Sequence, residues 1–140
     1  MKVYKPDADT SNERSTGTLQ ATIPNEPEFK TTHALLHLFG GEKPGGFIIG
    51  FLGDRFIDIG FPQGIGDTDG YVTKKYPEDF STTDLQWDYQ PQSGNRVIAT
   101  SGTITVRFSD GKKKAEGKFE FDTNETTSRK IKGTFQLENT

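Results

Sequence analysis

The chain has 140 residues, 17 Lys and Arg against 20 Asp and Glu, a hydrophobic fraction of 30% and a mean hydropathy of −0.72. That length holds one core and not two, the net charge of −3 offers no basic field to a polyanion such as nucleic acid, and the lack of cysteine excludes disulfides, thiolate catalysis and Cys-type zinc sites. Eleven Phe, four Tyr and one Trp must therefore supply much of the core, while 16 Gly, seven Pro and many Thr favour turns and pleated strands.

Residues 1–16 are polar and turn-rich and read as an N-terminal arm, leaving 17–140 as a single β domain. Met1 is followed by no apolar h-region and no run reaches membrane-spanning length, so no export signal and no membrane span are expected, and the cytoplasm is the default compartment. Gly17–Ile23 alternates, with Leu19, Ala21 and Ile23 on one face, until Pro24 and Pro27 stop it. His33–Phe39 is apolar on both faces, which suits a central strand and would also suit two helical turns; the strand is the favoured reading. After the loop 40–46, two apolar runs, 47–52 and 55–61, flank Gly53-Asp54, a type II′ hairpin signal.

That turn sets a register. Leu52 faces Arg55, Phe51 faces Phe56, Gly50 faces Ile57, Ile49 faces Asp58 and Ile48 faces Ile59. One face then carries Ile48, Leu52, Ile57 and Ile59, and the other carries Phe47, Ile49, Phe51, Phe56 and Asp58. Both faces of this hairpin are apolar. A long connection, 62–82, holds at most a short strand near Tyr71-Val72. Thr83–Gln90 alternates as a half-exposed strand, with Leu85, Trp87 and Tyr89 inward and Asp84, Gln86, Asp88 and Gln90 outward. In the C-terminal third, Asp110-Gly111 is a type I′ signal that pairs Val106 with Ala115, Ile104 with Gly117 and Gly102 with Phe119, over a polar outer face that sets Arg107 against Lys114. A last strand, 130–138, places Phe135 against Gly117 and Gly133 against Phe119. The expected fold is all-β, a single antiparallel barrel or sandwich of about eight strands.

Few residues designate chemistry. Asp67-Thr68-Asp69-Gly70 has the opening of a calcium loop, which makes Asp67 and Asp69 the candidate metal ligands, although the distal bidentate Glu and the flanking helices of an EF-hand are missing. His33 and His37 share a face but no third ligand is designated. The glycine-rich 40–46 stretch lacks the Gly-Lys-Ser/Thr ending of a phosphate loop. Asp58, a carboxylate on an aromatic face, must find a partner, face water at a sheet edge or line a wet cavity. No triad, nucleophile elbow or cofactor motif is present.

The closing segments SGTITVRF, EGKFEF and KGTFQLE resemble the final strands of small bacterial β-barrel and β-sandwich domains, loosely lipocalin-like. The Gly-x-Trp that marks the first lipocalin strand is absent, since Thr18 and Leu19 follow Gly17, and the resemblance brings no ligand with it. The functional expectation is a non-enzymatic binding domain for a small hydrophobic ligand, with Phe47, Phe51, Phe56, Asp58 and Trp87 as ligand-binding residues and no cofactor. Two rivals stand beside it: a protein-interaction or homodimer module that uses hairpin 47–61, and a carbohydrate hydrolase that needs a second acid beside Asp58.

Overall fold

A computed structural model describes residues 15–41, 45–67 and 69–139; the expected arm falls outside these, apart from its last two residues. Among the described residues there is no helix, and ten antiparallel strands form one nearly closed, barrel-shaped sheet. The strands are β1 (Ser15–Thr22), β2 (Phe29–Thr31), β3 (Ala34–Leu38), β4 (Gly46–Leu52), β5 (Arg55–Phe61), β6 (Val72–Tyr76), β7 (Asp88–Gln90), β8 (Val97–Ser109), β9 (Lys114–Thr123) and β10 (Lys130–Asn139). They are ordered β2-β1-β10-β9-β8-β7-β5-β4-β3, with β6 paired to β8. Two short strands raise the count above eight: β2, which follows Pro27, and β6, which extends the expected Tyr71-Val72 strand to Tyr76.

The hairpin β4–β5 has the register that its turn implies, Leu52 opposite Arg55 through Ile48 opposite Ile59, and Gly53 supplies the positive φ (61°) that type II′ needs at its first position. In β10 and β9, Gly133 faces Phe119 and Phe135 faces Gly117, as alternation predicts. The Phe119 ring lies over Gly133, where a Cβ would come within 2.3 Å of it.

The hairpin β8–β9 differs from expectation by two residues. Val106 pairs with Gly117, Ile104 with Phe119 and Gly102 with Phe121, because the turn spans Asp110 to Lys113 and not Asp110-Gly111 alone. Asp110, Gly111 and Lys112 all have positive φ (55°, 65° and 65°), a conformation that costs non-glycine residues about 1 kcal/mol each. Contacts from elsewhere offset that cost. The Lys112 N–H donates to Asp67 Oδ2 (3.1 Å) and the Lys112 ammonium sits 4.9 Å from the Phe108 ring centroid. The wider turn also places Arg107 against Glu116 and not against Lys114, replacing a like-charge pair with an ion pair. An even shift keeps every side chain on its face, so the inner and outer assignments stand.

Among the described residues the barrel interior is packed with buried apolar side chains. Trp87 stacks on Tyr76 at 4.5 Å, meets Phe80 and Phe121 edge-on, and donates its indole N–H to the Gly60 carbonyl at 2.8 Å. At one end Arg55, Tyr89, Glu26, Arg129 and Glu125 form a polar chain: Arg55 Nε donates to the Tyr89 hydroxyl, which donates to Glu26, and Arg129 bridges Glu26 and Glu125. Burial first, and Glu26 second, push the Tyr89 hydroxyl up to about 12. Across the remaining gap, Ser15 Oγ accepts the Leu36 N–H (3.0 Å) and donates to Asn139 Oδ1, while Asn139 Nδ2 donates to the Leu36 carbonyl (3.0 Å). These side chains bond the backbone of β3 where no ladder does.

Candidate functional site

β4 and β5 lie inside the sheet, so alternation sends Ile48, Ile57 and Ile59 into the core and Phe47, Ile49, Phe56 and Asp58 to the outside. On most of a barrel that outside is wet; here it is not. Leu35, Phe47, Ile49, Phe56 and Leu85 form a second buried cluster separate from the core, with Phe39 and Phe51 packed against it at partial exposure. Six rings interleave on this layer. His37 lies 4.9 Å from Phe47 and 5.3 Å from Phe39, and Phe51 lies 5.0 Å from His33 and 6.3 Å from Phe56. His33 is exposed, and His37, Phe39 and Phe51 are half-buried, so this side forms a rim.

Asp58 sits within this layer, completely buried, and not at a wet edge: β5 is flanked by β4 and β7. Directly across the β5–β7 ladder is Asp88, also fully buried. Asp58 Oδ1 accepts the Asp88 N–H (2.7 Å), and Asp58 Oδ2 has no hydrogen-bond partner. Asp88 is better served. Gln86 Nε2 donates to its Oδ1 (2.9 Å), and Arg96 Nη1 lies 3.3 Å from its Oδ2 while the guanidinium covers the Phe56 ring at 4.9 Å. Burial, and then the Asp88 charge, hold the Asp58 carboxyl well above the usual carboxylate range; burial also raises Asp88, against the lowering pull of Gln86 and Arg96.

The expected site is thus only partly assembled. Phe47, Phe51, Phe56 and Asp58 share one face. Trp87 does not join them, because it points through the sheet into the core and is fully buried there. Thr83–Gln90 was expected to expose its acids, yet Asp84 and Asp88 are 4% and 0% exposed. Asp84 caps the Ser81 N–H (2.7 Å), Leu85 makes an isolated bridge, and only Asp88–Gln90 forms a strand. Asp67 and Asp69 are engaged with backbone, Asp67 with Lys112 and Asp69 with the Gly66 N–H (2.8 Å), and among the described residues no three His, Asp or Glu side chains converge as a metal site. Asp88 and Arg96 are the members that sequence reasoning missed. Asp88 had the correct parity, but its outward side is the covered aromatic layer.

The opposite half of the barrel presents a polar outer surface with two open troughs of about 630 and 520 Å³, on β1 and β8 to β10. Their rims are Thr, Lys, Glu and Gln, with pairs such as Arg107–Glu116 and Lys114–Glu138 at the second. No family model, curated protein or solved structure matches the chain.

Proposed function

We propose that this protein is a non-enzymatic binding domain whose ligand, a small and mainly apolar molecule, docks on the aromatic layer outside β3, β4 and β5 and not inside the barrel. The observation that carries this reading is the second apolar cluster, on the far side of the sheet from a filled core, with a partly exposed rim of Phe39, Phe51, His33 and His37. Aromatic faces with a few fixed polar groups at the margin are the usual composition of small-molecule sites. Asp58 and Asp88 lie opposite each other in the ladder, but neither carboxyl touches solvent, so the pair is not open to a carbohydrate substrate as a hydrolase would need.

Titration with N-phenyl-1-naphthylamine, an uncharged apolar fluorophore, tests the reading. Saturable enhancement with wild type, reduced at least tenfold in affinity by Phe51→Asp while the urea midpoint moves little, is the expected result. Equal enhancement in both proteins would remove the layer as the docking face. Light scattering on the same samples separates the rival use of hairpin 47–61 in self-association, which predicts a wild-type dimer that Phe51→Asp dissociates.

A further inference from the structure

We propose that Asp58 carries a proton beside an ionised Asp88 at the β5–β7 seam, and that this proton makes the seam a pH-operated latch between the two halves of the barrel. The proposal is independent of the ligand reading.

The charge balance of the buried pair requires the proton. Two fully buried carboxyls face each other in register, and among the described residues one cation, Arg96, forms an ion pair with Asp88 and acts on Asp58 only through its charge. Beyond these, the seam is faced by the Gln86 amide, which is uncharged, and by the Tyr76 hydroxyl of β6, which accepts the Trp87 N–H at 3.3 Å. β4 presents Ile49 opposite Asp58, with no titratable group. One proton leaves a net charge on the two acids that Arg96 balances; none leaves an uncompensated buried anion, which real proteins avoid by neutralising it. The proton belongs on Asp58. Its Oδ2 receives no donor, whereas both oxygens of Asp88 do. Burial raises both acids, the Asp88 charge adds to the rise at Asp58, and the stronger rise at Asp58 agrees with this assignment.

The pair sits in one of the short ladders of the sheet. β7 bonds β5 through three residue pairs, Phe56–Gln90, Ile57–Tyr89 and Asp58–Asp88, and bonds β8 through two. The ladder β8–β9, by contrast, runs from Ala99 to Ser109. Losing the proton puts two like charges face to face within one of those few pairs.

The sign follows from linkage. A carboxyl raised in the fold above its unfolded value near pH 4 is stabilising below that pH, and the benefit is lost as pH rises to the folded value. Between those limits the contribution of Asp58 to the folding constant falls about tenfold per pH unit. Asp58→Asn places an N–H donor where the acid carries its proton and cannot titrate. Urea unfolding from pH 4 to 9 should therefore show wild type losing stability relative to Asp58→Asn as pH rises, with hydrogen exchange at residues 88–90 accelerating beyond its intrinsic base dependence in wild type alone. Parallel pH profiles for the two proteins would overturn the proton on Asp58, and a stability difference without local exchange at 88–90 would overturn the latch. Should Asp58→Asn not fold, infrared spectra of wild type labelled with 13C-carboxyl aspartate decide the matter. A protonated carboxyl band at pH 7 is expected, and its absence would end the proposal.

Discussion

Gly102 shows how a single position is held to one residue type. A Cβ there would lie 2.5 Å from the Glu120 carbonyl oxygen and 2.7 Å from the Trp87 ring, so the only tryptophan packs where the glycine leaves room. Gly102→Ala forces that ring aside. Overpacking of this kind costs roughly 1–3 kcal/mol, which a lowered urea midpoint and a shifted Trp87 emission spectrum would both report; an unchanged spectrum would mean that the ring is not the neighbour that yields. At the same scale, Asp58 was legible as a problem and Asp88 was not. Alternation places both on the outer side of their strands, and parity alone cannot distinguish an outer side washed by solvent from one covered by Phe56, Ile49 and Arg96. Trp87 was assigned inward correctly and grouped with the wrong face, since Phe47 and Phe51 point the other way from the same sheet.

Among the elements, legibility followed how local the determinants are. The register of β4–β5 is written in its two-residue Gly53-Asp54 turn, and it was read without error. The turn of β8–β9 depends on Asp67, 45 positions from Lys112, and on the Phe108 ring, so a local turn rule stopped two residues short. β2 escaped notice because three residues carry too little alternation to detect. The closure of β3 depends on partners still farther apart, Ser15 and Asn139 on the Leu36 backbone. Asn139→Ala leaves the Leu36 carbonyl without its donor and should lower stability by roughly 1–3 kcal/mol, the cost of an orphaned buried polar group. Thermal unfolding would measure it. A change within about 0.5 kcal/mol, the range of ordinary surface substitutions, would show that water replaces the amide and that this junction is open.

Over the whole molecule, the outer surface is divided. β1 and β8 to β10 turn Thr, Lys, Glu and Gln outward, with opposite charges set across strands, whereas β3 to β5 turn aromatic rings outward. The first half is an ordinary solvated sheet surface, and the second half carries the groups whose burial needs an explanation. This division was visible in the sequence, because the C-terminal strands alternate cleanly while 47–61 is apolar at both parities. The filling of the barrel was not, since the same inward residues would line a cavity or pack a core, and only the convergence of Trp87, Tyr76, Phe121 and Phe108 decides between them. The most direct test of the central claim, that ligand binding belongs to the outer aromatic layer and not to the interior, is amide and aromatic NMR mapping of N-phenyl-1-naphthylamine binding. Shifts concentrated on 33–39, 47–52 and 55–58, with the Trp87 indole N–H unmoved, are predicted; shifts centred on Trp87 and Tyr76 would contradict it.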